Sequence, residues 1–172
     1  MLQSTSAQKY ITKSGTIEIL SETTLFPIKG VNHKVASILN TESGEIIISL
    51  LIRSFEFEET FIEEYFNDKC MESSIFPNSI FKGRIINFEN LDFTSDGTYS
   101  AIIEGKLTIH GIAHEIHTKA EFTIADAIIF GKTEFSVSLA EYEVEIGRVY
   151  KNSVKENILL KVDFQYTHIK MI

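Results

Sequence analysis

Apolar and polar side chains alternate through most of this chain, the pattern of half-buried strands. Thr16-Ile17-Glu18-Ile19 is the first stretch to show it, and the residues before Lys9 read as a loose tail. A loop over residues 25–30, carrying Pro27 and Gly30, leads to a second strand over 31–39 and a turn over 40–44. Residues 45–53 form a third strand with Ile46, Ile48, Leu50 and Ile52 on one face. A fourth strand covers 79–88, and Ser95-Asp96-Gly97 reads as a hairpin-type turn, since Asp-Gly tolerates positive φ. Residues 99–110 set Ala101, Ile103, Gly105, Leu107 and Ile109 on one side, and Gly111 turns the corner. Residues 113–124 gather Ile116, Ala120, Phe122 and Ile124. Residues 128–139 set Thr133, Phe135 and Val137 opposite Lys132 and Glu134. A charged connection then reaches the cleanest strand, where Ile158, Leu160, Val162, Phe164 and Tyr166 alternate with polar residues.

One interval breaks this rhythm. Between the third and fourth strands Ile62, Tyr65, Phe66 and Lys69/Cys70 recur at helical spacing, which predicts a helix over 60–69. Thr60 and Glu63 have the spacing of a capping box. Pro77 ends the segment, because the residue before a proline is pushed out of helical angles. Phe55, Phe57, Phe76 and Phe81 flank it, more aromatic area than a small lid needs. Eight strands joined mainly by short turns are antiparallel neighbours. A sheet of that size closes into a barrel that is filled by side chains or holds one small ligand. The expected fold is therefore all-β: an eight-stranded antiparallel up-and-down barrel, one short helix inserted after the third strand, in a single domain over 9–172. Ile47, Leu51, Ile102 and Leu159 break the alternation, which implies that another strand, a loop or a second copy of the chain, as in a homodimer, covers part of the outer face.

Composition narrows the function. Sixteen basic against 24 acidic residues give a net charge of -8. That disfavours nucleic acid, which needs a basic face, and docking on an anionic membrane surface. No apolar run is long enough to span a bilayer. The single cysteine, Cys70, excludes an internal disulfide and reads as a small buried hydrophobe. The first ten residues hold no apolar signal core, and Ser6-Ala7-Gln8-Lys9 fits the mature end of an exported precursor.

Candidate chemistry is sparse. His110, His114 and His117 are the only metal-like cluster, and on a helix they would share a face. Gly111 and the surrounding isoleucines make the segment a hairpin instead, where His114 and His117 point to opposite faces. The expectation is exposed hairpin histidines and no metal. The carboxylates Glu58, Glu59, Glu63 and Glu64 suit the start of a helix. No serine sits in a strand-turn-helix elbow, and no glycine loop cradles phosphate.

The segment Tyr65-Phe66, Met71-Glu72-Ser73, Phe76-Pro77 and Phe81-Lys82, followed by Gly105-Lys106-Leu107-Thr108-Ile109-His110-Gly111, resembles the YceI-like family of lipid-binding proteins. The strand pattern extends the resemblance over roughly residues 9–168. It implies a lipocalin-like barrel whose elongated apolar cavity holds a polyisoprenoid, an isoprenoid quinone or a fatty-acid derivative, with no cofactor and no catalysis. It also implies a periplasmic or secreted protein; otherwise the chain is cytoplasmic. On that reading Phe55, Phe61, Phe66, Phe76, Phe81, Ile85, Leu107, Phe122, Phe135 and Phe164 contact the lipid, and Phe81 points inward to face Phe61 and Phe66. Arg148 and Lys151, with Lys155, are the candidate partners of an anionic head group. Two other readings of the residues stay open: a small-molecule enzyme using the same cavity, and a scaffold whose phenylalanines simply fill the barrel.

Overall fold

The computed structural model describes residues 8–21, 27–147, 154 and 156–169. Its strands are β1 (Lys9–Ser21), β2 (Ile28–Asn40), β3 (Glu45–Leu51), β4 (Glu56–Phe57), β5 (Asn78–Ile85), β6 (Gly97–Ile109), β7 (Ile112–Ala125), β8 (Ile128–Ser138) and β9 (Asn157–His168). The sheet order is β1-β9-β8-β7-β6-β5-β3-β2, and β2 pairs back onto β1, closing an antiparallel up-and-down barrel. The two-residue β4 adds to β2 through Gly30 and Val31. Inward residues are those the alternation singled out, from Ile46 and Leu50 on β3 to Phe164 and Tyr166 on β9. On the outer face Lys132 lies opposite Asp163 and Glu134 opposite Lys161, cross-strand pairs that agree with the register.

Several strands are longer or shorter than their patterns. β1 begins seven residues before the alternating stretch at Thr16, because Lys13-Ser14-Gly15 hides its period behind register shifts on either side of Gly15. A side chain at Gly15 would collide with the Phe164 ring, so this irregular point is also where the strand passes close over the core. Ile28–Gly30 belong to β2 rather than to a loop. β3 stops at Leu51, where Ile52 donates its N–H to the Pro77 carbonyl and starts a single 3-10 turn. β5 stops at Ile85, and Phe88–Asn90 forms another such turn. The bend before β6 is organised by the Asp92 carboxylate, which accepts from the Thr94 N–H and hydroxyl and the Ser95 hydroxyl. The expected tail falls largely on residues 1–7, outside the described residues.

The helix α1 (Thr60–Tyr65) continues into a π turn over Phe66–Cys70. The capping box does not form: Glu59 is the N-cap and uses no side-chain bond. Glu63 instead accepts from the Phe57 N–H at 3.2 Å, tying the helix to β4. Phe66 packs against Phe55 and Phe57, with ring centroids 5.7 and 4.8 Å apart.

The two ends of the barrel differ. At one end the connection between β5 and β6 folds inward, burying Leu91 and Phe93, and Phe93 stacks on Phe88 and meets Phe122 edge to face. At the other end sit α1, the β6–β7 hairpin and the segment that follows β8, a strap over residues 139–147.

Candidate functional site

A cavity of about 240 Å³ runs inside the barrel toward the second end. Its wall is almost wholly apolar. Ile17 and Ile19 of β1, Ile46, Ile48 and Leu50 of β3, Ile103, Leu107 and Ile109 of β6, and Phe164 and Tyr166 of β9 contribute from the sheet. Ile62, Tyr65, Phe66, Cys70 and Met71 cover it from the helix side. Leu139, Tyr142, Val144 and Ile146 cover it from the strap. Such a concave, largely apolar space is the ordinary form of a small-molecule site.

Of the residues the sequence nominates, Phe55, Phe66, Phe81, Leu107, Phe122, Phe135 and Phe164 stand on this wall. Phe81 is 5% exposed, and its ring lies over the paired Gly83 and Gly105, where any Cβ would meet it. Three nominated residues stand elsewhere. Phe61 is 54% exposed: it follows Thr60 on the outer side of a helix only two turns long, so it does not face Phe81. Phe76 packs outside the cavity against Gly111 and the His110 ring, at 4.7 Å between centroids. Ile85 is buried at the plugged end, away from the cavity wall. Arg148, Lys151 and Lys155 lie outside the described residues.

The strap is what the sequence reading missed. Tyr142, Val144 and Ile146 line the cavity and alternate with Glu141, Glu143 and Glu145. That is a period-two signal of the same kind as in the strands, obscured by the density of charge around it.

Polar groups on the cavity wall are few. Ser37 donates its hydroxyl hydrogen to the Ile47 carbonyl at 2.9 Å and accepts from the Tyr166 hydroxyl at 2.8 Å. Burial pushes the Tyr166 hydroxyl well above the usual phenol range, against the smaller opposing effect of the Ser37 bond. Burial also raises the Cys70 thiol to about 11, so it stands in the wall as a neutral, unreactive group. Tyr142 is shifted up by burial and, secondarily, by the charge of Glu141.

The histidines differ from expectation. His110 is not an exposed hairpin residue: its side chain is 10% exposed, and its Nε2 meets Glu72 Oε1 at 2.9 Å. Its Nδ1 donates to the Tyr142 carbonyl at 3.0 Å. His114 donates from Nε2 to the Glu141 carbonyl at 2.6 Å, and its ring meets that of Tyr142 edge to face. His117 faces out beside Glu104 at 3.5 Å. Among the described residues no cluster of three metal-ligating side chains forms, and no helix is long and apolar enough to cross a membrane. Ile38, Ile47, Leu51 and Ile80 lie exposed on the outer face of β2, β3 and β5.

Residues 11–166 match the family model of the YceI-like domain. No curated protein matches the chain by sequence. Among solved structures, a polyisoprenoid binding domain from Saccharophagus degradans superposes with a TM-score of 0.82 at 11% identity, over 95% of this chain and 100% of that one. BcnA of Burkholderia cenocepacia gives 0.73 at 14% identity, over 89% of this chain and 96% of that one. The YCEI protein of Campylobacter jejuni gives 0.66 at 12% identity, over 87% and 90%. At these identities the likenesses concern the fold.

Proposed function

This chain belongs to the YceI-like family, and on that footing we propose that it binds and carries a long-chain apolar amphiphile, a polyisoprenoid or a similar lipid, without transforming it. The observation that carries the reading is the cavity wall, apolar along its length from Phe122 near the plugged end to Tyr142 and Ile146 under the strap. Each well-buried, side-chain-sized apolar piece of a ligand contributes about 1.5–3 kcal/mol, so a few isoprene units suffice for tight binding. The polyisoprenoid binding named for the Saccharophagus degradans domain supports the same ligand class. Cys70, Tyr142 and Tyr166, on the wall, are all favoured in their neutral forms, which suits a container better than a reaction centre. An anionic head group, where the lipid has one, falls to Arg148 and Lys151, which follow the strap in the sequence. A carrier of this kind belongs in the periplasm or outside the cell, where apolar lipids need escort.

The test is a titration of delipidated protein with fluorescently labelled prenols of increasing chain length. Saturable binding near one per chain, tightening with length, is expected. A folded barrel that binds no prenol of any length overturns the reading.

A further inference from the structure

The barrel wall is not equally closed around its circumference. β6 and β7 pair along their whole length, from Gly97 opposite Ile124 to Ile109 opposite Ile112. β8 and β9 do the same from Ile129 opposite Tyr166 to Ser138 opposite Asn157. Between them β7 and β8 pair only at Ala120–Ala125 with Ile128–Thr133. Past that point, toward the helix end, the two strands part. A second seam opens at the same end between β2 and β3, which pair only from Ala36 opposite Ser49 to Leu39 opposite Ile46.

The seams are filled in different ways. The β2/β3 seam is closed by backbone and core: β4 pairs with Gly30 and Val31, and the fully buried Asn32 donates from Nδ2 across it to the Leu51 carbonyl. The Phe55, Phe57 and Phe66 rings back it. The β7/β8 seam is covered by the strap, and there the ties to the β6–β7 hairpin and the helix are side chain to backbone. His110 holds the Tyr142 carbonyl, His114 holds the Glu141 carbonyl, and Tyr65 Oη accepts the Gly147 N–H at 2.7 Å. Glu72 in turn orients His110. Hydrogen bonds of this kind contribute modestly each and break singly, whereas a ladder opens cooperatively.

We propose that the β7/β8 seam is the ligand's doorway and the strap over 139–147 is its door, latched to the hairpin by His110 and His114 and to the helix by Tyr65. The proposal rests on the lipid-binding reading and adds the route. A lateral slit suits a long chain, which enters sideways along the cavity instead of threading end-on past the helix. The side chains that swing out with the strap, Tyr142, Val144 and Ile146, are cavity wall, so opening the door exposes the cavity directly.

Two conservative variants test it. His114→Phe keeps a ring against Tyr142 and removes the donor to Glu141; Tyr65→Phe keeps the helix-side ring and removes the acceptor for Gly147. Stopped-flow exchange of an NBD-labelled prenol is read on each, with Glu63→Ala, which loosens the β2/β3 side, as the control. Each latch variant should speed both uptake and release about fivefold, the weight of one hydrogen bond, and the double variant more; affinity is compared for His114→Phe, which lies off the cavity wall, and should change little; Glu63→Ala should leave both rates alone. Unchanged rates in the latch variants, or acceleration only in Glu63→Ala, overturn the doorway. If a latch variant loses folded structure, amide hydrogen exchange on wild-type protein decides: strap amides should exchange faster than those of α1, and the reverse order overturns the proposal. Failure of wild type to bind the prenol at all refutes the lipid reading itself, a result distinct from unchanged exchange rates.

Discussion

Phe81 is the wall residue whose removal distinguishes a filled container from a solid core. It lies in the middle of β5, pairs with Ile48 and Leu107 on the neighbouring strands, and is 5% exposed. A buried phenylalanine cut to alanine costs about 3–5 kcal/mol when its surroundings are fully packed. One side of this ring borders the cavity, so the delipidated protein should lose about 3 kcal/mol, at the low end of that range. For a chain of this size that lowers Tm by roughly 6–12 °C. In the lipid-loaded protein the ligand is a further contact that the truncation disturbs or, if its chain shifts, refills. The two forms should therefore differ in their loss by about 1 kcal/mol or more. Phe81→Asp goes further. It sets a carboxylate against an apolar chain, where an unpaired charge is costly to desolvate, so lipid load should collapse. Urea unfolding of wild type and both variants, each with and without lipid, together with lipid per chain, gives all the quantities. Equal losses for Phe81→Ala in the loaded and delipidated forms would show a ring contacting protein alone. Phe81→Asp with full lipid load and undiminished stability would show that it faces solvent, and would refute the wall assignment.

Cys70 sets an alkaline limit. Its thiol is raised from 9.0 to about 11 by burial, so the unfolded chain loses its proton first. Stability is then fully present below pH 9 and should fall by about 2–3 kcal/mol between pH 9 and 11; Cys70→Ala should flatten that part of a urea-midpoint profile, and an unchanged slope would contradict it. Asn32→Ala removes the bond to the Leu51 carbonyl that crosses the β2/β3 seam and the local one from the Lys34 N–H, and should cost about 2–4 kcal/mol by chemical denaturation; a loss under 1 kcal/mol would mean the seam closes without it. Elemental analysis should find no stoichiometric zinc, since His114 and His117 are spent on Glu141 and Glu104; zinc that disappears when both become alanine would contradict this.

The barrel was legible because its strands are half buried, and half burial writes itself into sequence as alternation. Ile158 to Tyr166 and Ala101 to Ile109 face inward in the order their pattern predicts. Legibility failed where backbone geometry outranks the pattern. Gly15 interrupts the period of β1 because the strand shifts register against β2 there. Thr60 and Glu63 have capping spacing, yet Glu63 is drawn to the Phe57 N–H that β4 leaves nearby. Phe61 looks like a cavity residue by composition, but a two-turn helix has an outer side as well as an inner one. The strap was lost behind its glutamates, although Tyr142, Val144 and Ile146 carry the same alternation as any strand. The role of His110 depends on Glu72 and Tyr142, 38 and 32 residues away in the chain, and no local pattern announces such a pairing.

The central claim is that the cavity exists to hold a lipid. Organic extraction of the purified protein, followed by mass spectrometry, tests it most directly. The account predicts a long-chain apolar amphiphile near one per chain, absent from Phe81→Asp purified in the same way. A wild-type barrel that is folded, yields no extractable lipid and takes up none when offered would contradict it.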